Sequence, residues 1–142
     1  MNIYFACSIT GGRQDEAAYA ALVTALLEDG HTVPTAILAR PEIMEQEGRL
    51  SPEEVYERDT NWIESCDALI AEVSTPSHGV GYEIGYALSK GKPVLCCFRK
   101  GRRISKMISG NHDPNLQTRG YSSEVELAQM ARAFLGSMTP DG

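Results

Sequence analysis

Short apolar segments alternate along this chain with segments of helical periodicity, and this alternation restricts the possible folds more than any other feature of the sequence. Within the apolar segments, hydrophobic residues follow one another with few polar interruptions, which is typical of strands buried on both faces. Strands are predicted at residues 3–7, 31–35, 68–73, 93–98 and, as a short fifth, 116–118. Because strands separated by helices usually pair in parallel, the chain is predicted to be α/β. The expected architecture is a doubly wound open parallel sheet of about five strands in three α/β/α layers, Rossmann-like or flavodoxin-like.

Helix boundaries are indicated by capping residues and by the spacing of apolar residues. The sequence SPEE at residues 51–54 places Ser at the N-cap, Pro at the first helical position and Glu at the third, which is the pattern of a capping box. Helices are predicted at 15–27, 52–65, 79–89 and 123–135. Residues 36–50 mix charges with Pro and Gly, and they predict a loop with at most one helical turn.

The composition fits one globular domain. The chain has 142 residues, of which 42% are apolar, and a domain of this size can bury a core. One domain is predicted over residues 1–136, followed by a flexible tail at 137–142. The net charge of −6 argues against binding to nucleic acid or to an anionic membrane, since both require an excess of Lys and Arg. The sequence has no run of about 18 apolar residues and no basic leader, so a cytoplasmic protein is expected.

The spacing of cysteines and histidines indicates neither a metal site nor a cofactor. Cys7, Cys66, Cys96 and Cys97 lack the CxxC spacing of zinc ligands and lie mostly in apolar segments, which predicts buried thiols in a reducing compartment. The three histidines are scattered along the chain. Neither GxGxxG nor GxxxxGK[ST] occurs, so the sequence predicts no dinucleotide fingerprint and no P-loop. No metal and no cofactor are expected.

Two loops that follow predicted strands have the composition of an anion site. Residues 8–13 and 74–81 are rich in Gly, Ser and Thr, and each precedes a helix whose N-terminus favours negative charge. Both loops fall outside the carboxyl ends of strands, where open α/β sheets bind ligands. They predict a phosphate site, although Gly-rich loops also serve simply as tight turns. Glu83, one turn into the following helix, is either a reactive carboxylate kept ionised by the helix N-terminus or an ordinary helix charge.

Three segments, taken in order along the chain, resemble one enzyme family. They are residues 3–13 (IYFACSITGGR), Asp59 with Trp62, and residues 71–85 (AEVSTPSHGVGYEIG), and the match continues through LCCFR at 95–99 and ISKMI at 104–108. The ordered set is similar to the 2'-deoxynucleoside 5'-monophosphate N-hydrolases, which belong with the nucleoside 2-deoxyribosyltransferases. The resemblance implies cleavage of the N-glycosidic bond of a nucleoside monophosphate, which gives a free base and a sugar 5-phosphate.

The resemblance implies three catalytic residues. Glu83 would be the nucleophile that attacks C1' and forms a covalent glycosyl-enzyme, which water then opens. Asp59 would protonate the leaving base and later assist the water. Tyr4 would orient the nucleophile by a hydrogen bond and crowd the sugar 2' position, which favours deoxyribose. Without the resemblance, a Tyr in a first strand is more often a core residue, and an Asp in a helix is usually a solvated charge.

The resemblance also implies the groups that bind phosphate. They are Ser77 and the backbone of Gly79, with Ser8 and Gly11 as further donors. Ser105 matches a serine that the family takes from the neighbouring subunit, so a homodimer is expected. The expected partner of the site is a small-molecule nucleoside monophosphate.

The base and sugar are expected against Ile9, Thr10, Trp62 and Met107. Two positions depart from the family pattern: Thr10 stands where relatives carry Arg beside the base, and Ala6 stands where they carry Gly. The identity of the base is therefore not predicted.

Three other functions stay open. A ribonucleotide N-hydrolase of the CMP type and a nucleoside 2-deoxyribosyltransferase would both use Glu83, and they differ in tolerance of a 2'-hydroxyl and in capture of the sugar by a second base. A non-catalytic nucleotide sensor would use Glu83 only to contact ribose hydroxyls. The tail at 137–142 does not resemble the C-terminal contact of the transferases, which favours the hydrolase.

Overall fold

The computed structural model describes residues 1–9, 14–39, 45 and 47–138 and shows an α/β fold with one parallel sheet. The strands are β1 (Ile3–Ala6), β2 (Ala68–Glu72), β3 (Val94–Arg99) and β4 (Leu116–Tyr121). The described helices are α1 (Glu16–Glu28), a 3₁₀ helix (Pro34–Ala39), α2 (Pro52–Ser65), α3 (His78–Ser89), α4 (Lys106–Ser109) and α5 (Glu124–Met138). The predicted α/β class is confirmed.

The four strands lie side by side in the order β1-β2-β3-β4, and each is parallel to the next. Every crossover between them contains a helix, as parallel pairing requires. The strand predicted at 116–118 is confirmed and extends to Tyr121. Because all four strands run in the same direction, the loops after β1 and β2 meet at one edge of the sheet, where a ligand is expected.

The strand predicted at residues 31–35 does not form. A single bridge at Thr32 joins this segment to the chain beside β1, and the 3₁₀ helix then begins at Pro34. Proline has no N–H to donate to a ladder. The side chain of Thr35 takes the place of a backbone acceptor, because its Oγ1 accepts the N–H of Phe5 at 2.8 Å. Among the described residues the sheet therefore has four strands rather than five.

Two apolar clusters explain the unbroken hydrophobic strands. Alternate residues of a strand point to opposite faces of the sheet, so Ile3 and Phe5 enter one cluster while Tyr4 and Ala6 enter the other. The first cluster also contains most of the buried residues of α1 and all of those of α5, and the second contains those of α2 and α3. The helices α2 and α3 are therefore neighbours within one cluster.

The capping box predicted at residues 51–54 is present. The N–H of Glu54 donates to Oγ of Ser51 at 3.1 Å, and the N–H of Ser51 donates to Oε1 of Glu54 at 3.3 Å. The helix α2 ends at Ser65, as its spacing predicts. A fixed first turn sets the rotation of the turns that follow, so the cap helps to direct Asp59, two turns further along α2.

Two carboxylates fix the loop that follows β2. Glu72, buried at the end of β2, accepts the N–H of Ser74 at 2.6 Å and its hydroxyl at 3.0 Å, together with the hydroxyl of Tyr121. Asp15, buried just before α1, accepts the hydroxyl of Thr75 at 3.0 Å. Ser74 and Thr75, in the loop between β2 and α3, are thereby held in place.

The last helix extends to Met138, beyond the predicted end at residue 135. The remainder of the predicted tail, residues 139–142, lies outside the described residues, as do 40–44 and 46 of the segment predicted to be a loop. In the part of the chain that the structure describes, no helix combines the length and the apolar composition needed to cross a bilayer.

Candidate active site

A cleft of about 590 Å³ opens between α2 and α3 beyond the end of β1. Five residues predicted from the sequence line it: Ile9, Asp59, Ser77, Gly79 and Glu83. The other described residues that line it are Cys7, Glu47, Gly48, Leu50, Pro52, Val55, Tyr56, Thr60, Ile63, Val80 and Tyr82. A mostly apolar cleft with a few convergent polar groups is typical of a small-molecule site.

Glu83 lies in the second turn of α3 and is bonded to Tyr4. The hydroxyl of Tyr4, fully buried on β1, donates to Oε2 of Glu83. Burial raises the pKa of Glu83 to about 8. The expectation that the helix N-terminus keeps this group ionised at neutral pH is therefore wrong, because loss of water around the charged form outweighs the helix dipole.

Asp59 lies on the α2 wall of the same cleft. Its Oδ1 accepts the Nε–H of Arg58 at 2.8 Å, and only 18% of the Asp59 side chain is exposed. Burial raises the pKa of Asp59, while the guanidinium of Arg58 acts in the opposite sense. A carboxyl group whose pKa is raised by burial is suited to donating a proton.

The N-terminus of α3 forms the part of the cleft predicted to bind phosphate. Ser77 caps the helix, since its Oγ accepts the N–H of Val80 at 3.3 Å. A Cβ atom on Gly79 would lie 3.8 Å from Oγ of Ser77 and 4.0 Å from Oε1 of Glu83. An anion bound at this helix end would therefore lie beside the carboxyl group of Glu83.

Ser105 and Met107 do not line this cleft but a second one, of about 600 Å³. Ser105 caps α4, where its Oγ accepts the N–H of Met107 at 3.1 Å, and the side chain of Met107 is 84% exposed. Ser77 and Tyr82 line both clefts. Within one chain the two clefts are therefore neighbours, and the role of Ser105 in an adjacent subunit stays a prediction.

The remaining predicted residues have different positions. Ser8 is fully buried, and its Oγ has no hydrogen-bond partner among the described residues. Trp62 does not line the cleft as predicted, because it packs against the core cluster of α2 and α3 with the guanidinium of Arg58 5.0 Å from its ring centre. Thr10 and Gly11 lie outside the described residues. Within the described ranges, no group of three or more His, Cys, Asp or Glu side chains is placed to hold a metal ion.

Glu47, Tyr56 and Tyr82 are among the lining residues that were not predicted from the sequence. Glu47 binds Arg58 through contacts of 2.8 and 3.3 Å, and the rings of Tyr56 and Tyr82 lie 6.3 Å apart. Tyr56 precedes Asp59 by three residues, a helical spacing visible in the sequence that places both on one face of α2. Glu47 has no comparable signal, because it lies in a segment without periodicity.

The protein thus has an α/β fold with one parallel sheet, and two carboxyl groups and a helix N-terminus border the same cleft. The family model described as nucleoside 2-deoxyribosyltransferase matches residues 3–130. The chain belongs to the nucleoside 2-deoxyribosyltransferase family, and the resemblance predicted from its sequence is confirmed.

Curated relatives match the chain over most of its length. The 5-hydroxymethyl-dUMP N-hydrolase of Rattus norvegicus is 42% identical over 115 residues, covering 79% of this chain and 71% of the relative. The enzyme of the same name from Mus musculus is 37% identical over 145 residues, covering 99% and 83%. The one from Danio rerio is 34% identical over 142 residues, covering 98% and 99%. Relatives of this similarity support the same family assignment.

Two solved structures share the fold. The CMP N-glycosidase BcmB of Clostridium botulinum has a TM-score of 0.71 at 24% identity and matches 94% of this chain and 99% of its own. The solution structure of BlsM has a TM-score of 0.75 at 19% identity and matches 96% of this chain and 90% of its own. At these identities the likeness establishes the fold alone.

Proposed function

We propose that this protein hydrolyses the N-glycosidic bond of 2'-deoxynucleoside 5'-monophosphates and releases the free base and 2-deoxyribose 5-phosphate. The observation that carries the proposal is the placement of Glu83, Asp59 and the N-terminus of α3 around one cleft. A glycosidase needs two carboxyl groups at the reacting sugar, and a nucleotide needs an anion site beside them. The names of the curated relatives support this substrate class.

The reaction proceeds in two displacements at C1'. In the first, the carboxylate of Glu83 attacks C1' as the bond to the base breaks, and the base nitrogen takes the bond electrons and a proton from Asp59. The sugar is left as an ester of Glu83. In the second, water attacks C1' while the carboxylate of Asp59 takes a proton from it, which releases the sugar phosphate and restores both carboxyl groups.

Glu83 must lose its proton before it attacks. With a pKa of about 8, its carboxyl group is largely protonated at neutral pH. The hydrogen bond that Tyr4 donates favours the ionised form, and this is the contribution that we assign to Tyr4. Its hydroxyl also limits the space beside the sugar C2', which favours deoxyribose.

The substrate phosphate is proposed to lie at Oγ of Ser77 and the backbone N–H of Gly79, at the positive end of α3. Ser8 and Gly11 are further proposed donors. The hydroxyl of Ser8 is buried and has no hydrogen-bond partner in the part of the chain that the structure describes, which supports this role because burial normally requires one. Ile9 lines the cleft and, with Thr10, is proposed to contact the base.

The protein is proposed to be a homodimer in which Ser105 and Met107 of one subunit complete the site of the other. The second cleft supports this proposal, since it presents both residues beside the first cleft and shares Ser77 with it. The high exposure of the Met107 side chain supports it as well, because a large apolar side chain gains most by being covered.

Buried cysteines support a cytoplasmic location. Burial raises the pKa of Cys66 to about 11 and that of Cys96 to about 12, so both remain thiols at physiological pH. Buried thiols suit a reducing compartment.

The two core clusters support a doubly wound, three-layer arrangement of the proposed 1–136 domain. One cluster contains α1 and α5, and the other contains α2 and α3. Two helical layers with the sheet between them account for strands that are apolar on both faces.

Incubation with a panel of nucleotides tests the proposed reaction. Deoxynucleoside monophosphates, ribonucleoside monophosphates and free nucleosides are supplied separately, and the products are separated by chromatography. Release of base from deoxynucleoside monophosphates is expected, and release from ribonucleotides instead would indicate the CMP-type reaction. Adding a second free base tests for a transferase, because a transferase would join the sugar to that base and make a new nucleoside. Binding without release of base from any substrate would indicate a sensor and overturn the proposal.

Substitution of Glu83 tests the identity of the nucleophile. Glu83→Gln should bind nucleotide but release base at least roughly 10³-fold more slowly, because the amide cannot form the ester. The matched control is Glu64→Gln, which changes an exposed carboxyl group on α2 that bonds Tyr86 at 2.6 Å and lies outside the cleft. Near-normal turnover in Glu83→Gln would show that the nucleophile is elsewhere.

A further inference from the structure

Arg58 binds two carboxyl groups at the wall of the cleft. Its Nε–H donates to Oδ1 of Asp59 at 2.8 Å, and its two terminal nitrogens contact the carboxylate oxygens of Glu47 at 2.8 and 3.3 Å. The guanidinium carbon lies 5.0 Å from the ring centre of Trp62. A carboxyl group at each end and an aromatic ring over its face therefore fix Arg58.

Solvent screens this network only weakly. The exposed fractions of the three charged side chains are 23% for Arg58, 18% for Asp59 and 16% for Glu47. The nearby pair of Arg49 and Glu45, by contrast, is 72% and 75% exposed. Exposed pairs contribute little, whereas partly buried charges act on one another more strongly.

We propose that Arg58 is a positioning residue for the Asp59 carboxyl group. Held by Glu47 and by the ring of Trp62, its guanidinium fixes the orientation of that carboxyl group in the cleft and places a positive charge beside it. The inference rests on the proposed function, in which Asp59 protonates the leaving base.

Two charges act on Asp59 in opposite senses. Burial favours the protonated form most strongly; of the two charges, the guanidinium of Arg58 favours the carboxylate and Glu47 favours the protonated form. An Arg58 paired with Asp59 alone would hold the carboxylate ionised and oppose its action as an acid. Because Glu47 binds the other two nitrogens of Arg58, it offsets part of that charge, and Asp59 keeps a fixed orientation without losing its capacity to donate a proton.

Other titratable groups share the cleft with Asp59. Tyr56 on α2 and both Tyr82 and Glu83 on α3 line the same cleft. All three are retained in the variants that test the inference, so a difference between variants reports on Arg58 and Glu47.

The direct test follows the protonation of Asp59 by carbon-13 NMR of its carboxyl group. Arg58→Gln should raise the pH at which Asp59 titrates, because the favourable positive charge is lost. Glu47→Gln should lower the pH at which Asp59 titrates, because the negative charge of Glu47 no longer offsets the positive charge of Arg58. The control Arg49→Gln, in the exposed pair, should leave the titration unchanged.

The pH dependence of kcat/KM provides the second readout. The limb of the profile that belongs to Asp59 should move to higher pH in Arg58→Gln and to lower pH in Glu47→Gln. If the Asp59 limbs of Arg58→Gln and Glu47→Gln lie one pH unit apart, the values of kcat/KM of the two variants differ about tenfold at a pH on both limbs. Arg58→Lys, which keeps the charge but lacks the planar fork, should leave the limb near its wild-type position and lower kcat.

An Asp59 titration that is the same in all these proteins, or that moves in one direction in both Arg58→Gln and Glu47→Gln, would overturn the inference. If thermal unfolding shows that Arg58→Gln does not fold, the Glu47→Gln arm decides: a shift to lower pH supports the inference, and no shift overturns it. If Asp59 shifts in opposite directions in the two variants but the wild-type protein releases no base, the action of Arg58 on Asp59 is supported and the proposed function is overturned.

Discussion

The carboxyl group of Glu83 is subject to opposing influences. Its position near the start of α3 and the hydrogen bond from Tyr4 favour the charged form, whereas burial disfavours it and raises the pKa to about 8. The local sequence predicts that Glu83 lies near the start of a helix. It does not predict how deeply the side chain is buried, because burial depends on how α3 packs on the sheet. The sequence therefore singles out Glu83 as a candidate, whereas the direction of its pKa shift depends on the fold.

Ionisation of Glu83 should make the protein less stable as pH rises. The pKa is raised from 4.5 to about 8, so between these values the folded protein holds a proton that the unfolded chain has released. The resulting contribution to the free energy of unfolding is fully present below the lower value and is lost towards the higher one, by up to about 1.4 kcal/mol per pH unit. Glu83→Gln, which cannot ionise, should lack this dependence.

Urea unfolding of wild type and Glu83→Gln across that pH range measures the difference. Glu64→Gln serves as the control, because the pKa of this exposed carboxyl group is lowered and it is already ionised throughout the range. Parallel pH dependences for wild type and Glu83→Gln would show that Glu83 is ionised in the folded protein at neutral pH.

Sequence reasoning selected Asp59 but not the groups that surround it. Asp59 has a position in an ordered set of motifs, whereas Glu47 meets Arg58 across eleven residues of chain, from a segment whose conformation no pattern indicates. Trp62 shows the converse: it was expected beside the base and sugar, but its ring lies against the core cluster. Direction around a helix is readable from spacing, while the contacts of a side chain depend on its neighbours.

At the level of elements, the helices that carry the site are specified locally and one strand is not. Both α2 and α3 begin at a serine cap: the one at Ser51 was predicted, and the one at Ser77 was not. The segment at 31–35 has the composition of a short strand, yet Pro34 diverts it and Thr35 bonds β1 through its side chain. Strand formation depends on the pairing partner, which local composition does not contain.

The cap of α2 should contribute measurably to stability. Ser51→Ala leaves the N–H of Glu54 without its side-chain acceptor, so the free energy of unfolding should fall by about 1 kcal/mol with an unchanged denaturant slope. Ser65→Ala removes a hydroxyl at the other end of α2, which donates to the carbonyl of Trp62 at 3.2 Å, and should cost less. Equal losses in the two variants would contradict the capping box as the source.

The burial of Glu72 on β2 is explained by a residue of another strand. A carboxylate at the end of the apolar segment ALIAEV is visible in the sequence, and burial raises its pKa while the hydrogen bonds from Tyr121 and Ser74 lower it. Tyr121 is 49 residues away, at the end of β4, so the reason for the buried charge is not local. The bond joins two strands and fixes the start of the loop that leads to Ser77.

At the scale of the whole molecule, the site is assembled from distant parts of the chain. The parallel sheet places the end of β1 next to the loop after β2, which is why Tyr4 and Glu83 meet across 79 residues. The α/β pattern of the sequence was sufficient to predict that the loops after β1 and β2 lie at the same edge of the sheet. It was not sufficient to predict that Ser105 would lie in a second cleft, since the position of α4 depends on packing after β3.

Mixing two defective variants tests whether the subunits share their sites. Ser105→Ala and Glu83→Gln should each be weak or inactive alone on a deoxynucleoside monophosphate. In a mixed dimer, the Ser105→Ala subunit keeps its own Glu83 and receives Ser105 from the Glu83→Gln subunit, so one of its two sites is intact. With random exchange half of the dimers are mixed, and activity should recover to about a quarter of wild type per subunit.

Ser109→Ala, at the other end of α4, provides the control for disturbance of that short helix and should be active without mixing. Sedimentation at the assay concentration establishes whether dimers are present. If Ser105 serves its own subunit, the mixture will show only the average of the two variants. A monomer with full wild-type activity would likewise contradict the shared site, because the second cleft of one chain does not include Glu83.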